Sequence, residues 1–274
     1  MSVTIRSERV RSWLGAADPF EKIKAIKGLV VRSKEGRTTQ RFEIDNQGFY
    51  VKLHEGIGWK EVIKNLLQLR LPVTGASNEW LAINRFHDLG LDTLNAVAFG
   101  KKGFNPASQT SFVMTEELTQ TISLAKYAER WPEQPPAFLH KKALIEKVAE
   151  ISRIMHSNGI NHRDLYICHF LLDIASGQQA QQAEAIRLFV VDLHRAQIRS
   201  QVPRRWLVKD VGSIYFSALD IGLTKGDVYR FLRGYYQMPL RDIFNNNGDF
   251  LSAVERRAVN LYRRDFKRTP VLIK

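Results

Sequence analysis

The sequence predicts an α+β fold in two lobes, with a strand-rich N-terminal lobe over residues 1–116 and a helix-rich C-terminal lobe over residues 117–274. Two observations lead to this prediction. Short segments rich in β-branched and aromatic residues, separated by turn residues, fill the first third of the chain. Helical spacing of apolar residues dominates after residue 118. Because a run of strands followed by a run of helices is typical of α+β proteins, we expect one domain built from two lobes.

In the N-terminal lobe, the turn sequences at residues 33–37 and 46–48 predict an antiparallel meander. The predicted strands cover residues 23–32, 41–45, 49–53, 94–99 and 111–114. Helices are predicted over residues 59–69 and 79–89, the second with Asn78 as N-cap and Gly90 as its C-terminal stop. Residues 115–119 are predicted to form a hinge.

In the C-terminal lobe, helical spacing predicts a long helix over residues 141–157, which Gly159 ends. Ser252 and Glu255 predict a capping box at the start of the last helix. The remaining predicted helices cover residues 208–219, 227–236 and 252–267. Two apolar runs, residues 170–174 and 186–191, predict a hairpin around a solvated Gln/Ala-rich insertion at residues 176–185.

The net charge of +13, from 41 Lys and Arg against 28 Asp and Glu, predicts an anionic partner. Anionic lipid, phosphorylated ligands and an acidic protein all fit this charge. A nucleic-acid partner is not expected, because no base-stacking aromatic residues are interleaved with the basic ones. The single cysteine, Cys168, excludes an internal disulfide and indicates a reducing compartment. Since no signal peptide or apolar run of about 20 residues is found, we expect a soluble protein or one bound to a membrane surface.

The strongest chemical signal is His162, Arg163, Asp164 and Leu165, followed after three more residues by His169. The pattern resembles the catalytic loop of protein kinases, in which the aspartate accepts the proton of the acceptor hydroxyl. Taken alone, it would more often be a polar turn with a surface ion pair. Here it follows a long helix and leads into an apolar strand, so the context favours a catalytic loop.

Three further segments complete the kinase pattern. Asp192 ends an apolar strand, where kinases place a Mg²⁺ ligand, and His169 occupies the position of a second ligand. An ordinary turn aspartate is the alternative for Asp192, and Mg²⁺ prefers oxygen to the imidazole of His169. Lys52 lies in a strand where kinases carry the lysine that contacts ATP phosphates, although an edge-strand lysine that discourages aggregation is the alternative. Glu79 is the preferred partner of Lys52, and Glu61 is the competitor.

Further residues are candidates for contacts with the nucleotide or the acceptor. The segment around residues 111–118 resembles the strand and hinge that hold adenine, which makes Glu116 and Leu118 candidates for ATP binding. The first turn has one glycine and not a glycine-rich loop, so basic residues are candidates for holding phosphate. The candidates for phosphate or acceptor contacts are Lys34, Arg37, Arg163, Arg204 and Arg205.

Beyond kinases in general, four segments closely resemble the lipopolysaccharide core heptose(I) kinases of Gram-negative bacteria: residues 112–118, 161–172, 191–198 and 215–223. The resemblance covers most of residues 20–265. It implies a protein-kinase-like fold that uses ATP and Mg²⁺ to phosphorylate the first heptose of the lipopolysaccharide inner core, with Asp164 as the base. It also implies a cytoplasmic enzyme, peripheral on the cytoplasmic face of the inner membrane, whose partner is the inner core. The net charge of +13 adds an anionic membrane surface as an expected partner, and an acidic protein could use the same charge.

Two alternatives stay open on the sequence. One is a kinase for another core sugar or for a protein hydroxyl. The other is a kinase-like binding module that has lost catalysis. The joint presence of Lys52, Asp164 and Asp192 argues against the binding module, whereas His169 at the position of the usual asparagine keeps it open.

Overall fold

The computed structural model describes residues 1–34, 36–56, 58–59, 75–105, 107–177 and 180–273. Its backbone contacts define two units. The strand-rich unit comprises Met1–Arg85, Leu94–Thr119 and Leu193–Arg195, and the helical unit comprises Phe86–Thr93, Gln120–Asp192 and Ala196–Lys274. The lobe boundary between residues 116 and 117 stays a prediction.

The strand-rich unit is built on a sheet in the order β1-β5-β6-β4-β3-β2, with every neighbouring pair antiparallel. Its strands are β1 (Ser2–Ile5), β2 (Leu29–Lys34), β3 (Arg37–Ile44), β4 (Gln47–His54), β5 (Ala96–Lys102) and β6 (Thr110–Glu116). Along β4, Phe49, Val51 and Leu53 are buried in the apolar core. Because successive side chains on a strand alternate between faces, Lys52 lies on the opposite face from that core.

Among the described residues, three helices accompany this sheet: α1 (Glu8–Leu14), α2 (Pro19–Lys24) and α3 (Ser77–Asp88). Helix α2 corrects the predicted strand at residues 23–32, because Asp18 caps the chain at Phe20 and Pro19 stands at the first helical position. The strand begins only at Leu29.

Helix α3 includes Asn78 within its first turn, so the prediction of Asn78 as N-cap is wrong. The helix starts where the Ala76 amide donates to Ser111 Oγ, 2.9 Å away. Gly90, with φ of 68°, follows the end of the helix as predicted. The predicted helix over residues 59–69 lies outside the described residues except for Trp59.

The helical unit contains two small sheets, one in the order β10-β9-β7 and one pairing β11 with β8. Its strands are β7 (Thr121–Ser123), β8 (Ile160–Asn161), β9 (Phe170–Asp173), β10 (Leu188–Val190) and β11 (Gln197–Ile198). Its helices are α4 (Leu124–Tyr127), α5 (Phe138–Ser157), α6 (Ile174–Gly177), α7 (Arg204–Ser217), α8 (Lys225–Tyr236) and α9 (Leu240–Phe266). The antiparallel pairing of β9 with β10 confirms the predicted hairpin.

Gly159 turns the chain from α5 into the catalytic loop. Its φ of 77° is in the left-handed region, and a Cβ atom there would lie 1.8 Å from the carbonyl oxygen of Arg199. The same two residues are linked by a hydrogen bond from the Arg199 amide to the Gly159 carbonyl, at 2.9 Å. Only glycine therefore allows the backbone of β11 to approach the entrance of the loop this closely.

The last helix differs from its prediction. Helix α9 runs from Leu240 to Phe266 with a non-helical residue at Asn247, so Ser252 lies inside it and the predicted capping box is wrong. Buried Ile243 and Phe250 extend its apolar stripe toward the N-terminus, so packing continues the helix past the local start signal.

In the Gln/Ala-rich insertion, the Ala180 carbonyl accepts a 2.9 Å hydrogen bond from His140 Nδ1.

The helical unit also contains an apolar cavity of about 490 Å³. Its wall includes Leu144, Val148, Ile214, Phe231 and Val254, which come from α5, α7, α8 and α9. Across the described part of the chain, no helix combines the length and apolarity needed to cross a membrane.

Candidate active site

In the strand-rich unit, Lys52 and Glu79 form an ion pair between β4 and α3. Lys52 Nζ lies 2.5 Å from Glu79 Oε1, and the glutamate side chain is only 1% exposed. Among the described residues, the second carboxylate oxygen of Glu79 is buried without a hydrogen-bond partner. The buried Glu79 carboxylate therefore holds the ammonium group of Lys52 in place. The competitor Glu61 lies outside the described residues.

His54 adds a buried, uncharged imidazole at the end of β4. Burial, together with the charges of Arg37, Lys52 and His194, lowers the pKa of His54 to about 4. The ring is therefore neutral at physiological pH and adds no positive charge beside Lys52.

The segment after β6, predicted to hold adenine, is anchored by a residue that the sequence did not single out. Glu117 accepts two hydrogen bonds from Arg41, at 2.8 and 2.7 Å, and one from the Tyr50 hydroxyl at 3.3 Å. Hydrogen bonding from Arg41 lowers the pKa of Glu117. The Glu116 carboxylate accepts from Asn95 Nδ2 at 2.5 Å, so the side chains of this segment hold its backbone in place.

Gly48 is required for the same anchor. A Cβ atom at this position would lie 1.9 Å from Glu117 Oε2. The Glu117 amide donates a 2.9 Å hydrogen bond to the Gly48 carbonyl. Gly48, which the sequence indicates as part of a turn, therefore also leaves room for the carboxylate of Glu117.

In the helical unit, the catalytic loop is held by Asp210 of α7, which is completely buried. Its two carboxylate oxygens accept the backbone amides of His162 and Arg163, each at 2.7 Å. Arg163 has a φ of 76°, which is strained for a residue with a side chain. Two charge-assisted hydrogen bonds stabilise this strained backbone immediately before Asp164.

His162 connects the catalytic loop to the end of β10. Its Nε2–H donates to the Val191 carbonyl at 2.9 Å, while its Nδ1 accepts the Asp164 amide at 3.3 Å. Burial lowers the pKa of His162, so the ring stays neutral and these two bonds determine its tautomer. The ring therefore fixes the backbone of Asp164 relative to the strand that leads to Asp192.

The Asp164 carboxylate is 20% exposed, and Lys209 Nζ lies 3.8 Å from its Oδ1 atom. A carboxylate that is accessible to an acceptor can take a proton from its hydroxyl group. Asp164 thus has the exposure and the charge environment that a catalytic base requires.

Asp192 and His169 lie together, with His169 Nε2 at 3.8 Å from Asp192 Oδ2. His169 Nδ1–H donates to the Asp164 carbonyl at 2.7 Å. Burial alone would lower the pKa of His169, but hydrogen bonds with Cys168 and with the Asp164 carbonyl, and the charge of Asp192, raise it to about 9. The imidazole is therefore protonated at neutral pH and presents an N–H group to Asp192.

These residues fit Mg²⁺ through Asp192. The described residues contain no group of three or more His, Cys, Asp or Glu side chains that could hold a metal ion. Proteins commonly bind Mg²⁺ with one or two carboxylates while phosphates and water complete the shell, so one accessible carboxylate suffices here. His169 stays a candidate for the second position, with its Nε2 atom 3.8 Å from Asp192 Oδ2.

The structure separates the basic residues that the sequence grouped together. Arg163 and Arg205 both stack on the indole of Trp206, whereas Arg204 lines a different, polar pocket beside Tyr236. Arg37 begins β3 opposite Lys34, whose side chain is outside the described part of the structure.

The chain is similar to known proteins of one family. The sequence matches the model of the lipopolysaccharide kinase (Kdo/WaaP) family over residues 21–235. The chain belongs to this family. The resemblance identified from four sequence segments is thus confirmed.

Individual relatives cover nearly the whole chain. It is 48% identical over 264 residues to the lipopolysaccharide core heptose(I) kinase WaaP of Pseudomonas aeruginosa, covering 96% of this chain and 97% of that protein. It is 44% identical over 263 residues to the protein of the same name from Escherichia coli strain K12, covering 96% and 97% of the two chains. A solved structure described as WaaP in complex with acyl carrier protein superposes with a TM-score of 0.82 at 44% identity, covering 96% of this chain and all of that one. This likeness confirms the predicted α+β fold of the kinase type.

Within this lipopolysaccharide kinase, sequence reasoning missed two residues that contact the loop, namely Lys209 and Asp210. Both lie on α7, more than 40 residues after Asp164. A run of basic residues at 204–209 was visible in the sequence, but nothing in it predicts which residue would contact the loop. An aspartate in an otherwise amphipathic helix was the one available signal for Asp210, because buried carboxylates are rare unless they are paired.

Proposed function

We propose that the chain is an ATP-dependent kinase that phosphorylates the first heptose of the lipopolysaccharide inner core. The observation that carries this proposal is the loop of Asp164, an accessible carboxylate held by Asp210 and His162 in a chain that is 44–48% identical to heptose(I) kinases over nearly its full length. Other hydroxyl acceptors become outcomes of the experiment below.

Asp164 is proposed as the catalytic residue toward the acceptor. Its Oδ atoms would accept a hydrogen bond from the heptose hydroxyl and take its proton as the phosphoryl group is transferred. Lys209 Nζ, 3.8 Å from this carboxylate, contributes positive charge beside it. Because the loop backbone is fixed by buried hydrogen bonds, the carboxylate is already positioned when the acceptor binds.

Lys52 is proposed to bind ATP phosphates, with Glu79 orienting its ammonium group. The backbone near Glu116 and Leu118 is proposed to bind adenine, since Glu117 and Arg41 hold this segment. Lys34 and Arg37 remain candidates for phosphate contacts in the absence of a glycine-rich loop.

Asp192 is proposed to hold Mg²⁺, which when bound neutralises phosphate charge. His169 is proposed to orient Asp192 through its N–H group and to fix the Asp164 carbonyl. The φ of 64° at Asp192 shows that its backbone adopts the left-handed conformation where the strand ends.

The test is transfer of labelled phosphate from ATP to purified inner-core lipopolysaccharide that lacks heptose phosphate. We expect incorporation on the first heptose, mapped by mass spectrometry and NMR. Incorporation on another core sugar would redirect the acceptor assignment. Nucleotide binding without transfer to any core or protein acceptor would identify a binding module and contradict the proposal.

We further propose that the chain binds an acyl carrier protein, as the solved relative does. The chain carries a net charge of +13, which complements an acidic protein. Its apolar cavity of about 490 Å³ offers room for an acyl chain. Gel filtration with acylated and unacylated carrier protein would separate the two contributions, and absence of a complex with either form would contradict the proposal.

We propose a peripheral location at the cytoplasmic face of the inner membrane, where a lipid-linked acceptor would be met. The basic end of α9 supports this location, with Arg264 and Arg268 exposed by 64% and 69%. Basic residues near an anionic surface contribute about 1 kcal/mol each to membrane binding.

A further inference from the structure

Three cations gather on one indole ring beside the catalytic loop. The guanidinium carbons of Arg163 and Arg205 lie 4.8 and 5.4 Å from the centroid of Trp206, and Lys209 Nζ lies 5.6 Å from it. Arg205 and Lys209 share α7 with the tryptophan, whereas Arg163 belongs to the catalytic loop. Like charges at such separations repel one another, and the ring quadrupole offsets only part of that cost.

The nearby carboxylates do not balance this charge at Arg205. Asp210 uses both of its oxygens on backbone amides of the loop, and Asp164 is 3.8 Å from Lys209. Arg205 is exposed, and no carboxylate in the described part of the chain comes within 4.0 Å of it. The cluster therefore has an accessible side with uncompensated positive charge.

A second observation concerns the indole itself. Trp206 Nε1 is buried, and no acceptor within the described residues forms a hydrogen bond with it. A buried indole N–H normally finds a partner, and leaving it without one costs free energy. An anionic group bound among the cations would supply an acceptor for this N–H group if the side chains that cover the indole nitrogen moved aside.

We propose that Trp206, Arg163, Arg205 and Lys209 form an acceptor subsite that binds an acidic group, a carboxylate or phosphate, carried by the sugar acceptor. This inference rests on the proposed function. Lys209 ties the subsite to the chemistry, because its ammonium contacts both the indole and Asp164. Arg163 links the subsite to Asp164 through the backbone, because Arg163, with its strained φ of 76°, is the residue immediately before Asp164.

The subsite would make acceptor charge a specificity determinant. An acidic group bound by the cations would position the neighbouring sugar so that one hydroxyl meets Asp164. A neutral sugar would lack this contact and bind more weakly. The transferred phosphoryl group of ATP is the other anion that could use these cations, and the experiment distinguishes the two sources.

The experiment compares two ligands on the full chain with a non-hydrolysable ATP analogue present. One is the deacylated inner-core oligosaccharide with its acidic groups, and the other is the same oligosaccharide after esterification and dephosphorylation. Binding is measured by calorimetry for the wild type and for Arg205→Gln, with Arg241→Gln as the control for loss of one exposed positive charge. Arg205 is exposed, so its replacement leaves the apolar core intact.

We expect Arg205→Gln to weaken binding of the acidic oligosaccharide about tenfold. Binding of the neutralised oligosaccharide and of the nucleotide should be unchanged, and Arg241→Gln should match the wild type. Trp206→Phe, which keeps an aromatic face but removes the N–H group, should also weaken binding of the acidic ligand.

Equal affinity of the wild type for both oligosaccharides would overturn the inference, as would an equal effect of Arg205→Gln on both. Weaker nucleotide binding alone would assign the cations to the transferred phosphoryl group and would also overturn it. If the wild type phosphorylates no core acceptor, the proposed function fails instead, and that result is read from the transfer assay and not from these binding ratios.

Discussion

The two units hold their functional side chains in different ways. In the strand-rich unit, Lys52 forms an ion pair with a buried side chain, Glu79, at 2.5 Å. In the helical unit, the backbone around Asp164 is fixed by Asp210 and His162, which together contribute hydrogen bonds to three consecutive residues. The comparison indicates that the proposed nucleotide contact depends on a side-chain ion pair, whereas the proposed catalytic base lies on a backbone that a buried network fixes.

The largest effect is expected at Asp164 itself. Asp164→Asn keeps the shape of the side chain but cannot take a proton, so transfer should fall by about 10²–10⁴-fold. Nucleotide affinity should stay near the wild-type value, because the carboxylate addresses the acceptor. Turnover and nucleotide binding measured on the same preparation provide the check, and turnover near the wild-type level would contradict the assignment.

A substitution at Asp210 tests the backbone hydrogen-bond network without changing the proposed catalytic base. Asp210→Asn replaces a charged acceptor of two backbone amides with a neutral one, and hydrogen bonds to charged groups contribute about 1.5–3 kcal/mol each. We expect a lower melting temperature together with a fall in turnover of about 100-fold. Asp249→Asn, at an exposed position of α9, is the control and should change neither. Normal turnover with an unchanged melting temperature would show that the network does not position the loop.

The Lys52–Glu79 pair tests the other side of the comparison. Removing Lys52 leaves the buried charge of Glu79 without its ion-pair partner, which costs on the order of 3 kcal/mol. Lys52→Ala and Glu79→Ala should each lower kcat/KM for ATP by roughly 100-fold, since about 1.4 kcal/mol corresponds to a factor of ten. The double variant should lose less than the sum, because the two residues act through one contact. Additive losses would show that the pair is not functional, and Glu61→Ala is the matched variant of the competing glutamate.

His169 is expected to have a smaller effect because the proposed role is indirect. Asparagine can still donate a hydrogen bond to the Asp164 carbonyl, although it lacks the positive charge of the imidazolium. His169→Asn should therefore keep turnover within about tenfold of the wild type, while His169→Ala should lose more. A folded but inactive asparagine variant would show that the charged imidazole has a chemical role of its own.

Local sequence patterns predict those candidate site residues whose role can be read from one short segment of the chain. Asp164 and Asp192 follow from a loop and a strand end, and Lys52 follows from its strand, because each lies in a recognisable sequence context. The pairing of Lys52 with Glu79 was one of two options and needed the structure to decide it. Asp210 could not be predicted, because its contacts with His162 and Arg163 depend on how α7 packs against the loop. Such a long-range contact produces no repeating pattern in the sequence.

Tertiary packing also explains the errors in the fold. A capping box at Ser252 was a valid local signal, but the buried stripe that begins at Ile243 continues α9 through it. Residues 23–24 have β-branched and apolar neighbours, yet the cap at Asp18 and Pro19 makes them part of a helix. In both places a long-range or capping contact outweighs intrinsic propensity.

Basic surface residues give the last comparison between the units, and the smallest expected effect on catalysis. Both units carry exposed cations, and in the helical unit α9 ends with exposed Arg264 and Phe266, followed by exposed Arg268. Four neutralising substitutions to glutamine are proposed at the end of this helix, at Arg263, Arg264, Lys267 and Arg268. The matched control neutralises four exposed residues of the strand-rich unit: Arg9, Arg11, Lys27 and Arg32.

Each cation near an anionic surface contributes about 1 kcal/mol, so the helix variant should bind anionic vesicles at least tenfold more weakly at low salt. Its KM for a lipid-borne acceptor should rise, whereas kcat and ATP affinity should match the wild type, because these residues lie outside the catalytic loop. The control variant should sediment with vesicles like the wild type. Equal losses in both variants would assign membrane binding to total charge, since screening and attraction act on any exposed cation. Equal binding of the wild type and the helix variant at low and high salt would leave the helix a purely structural element and remove the distinction between the two surfaces.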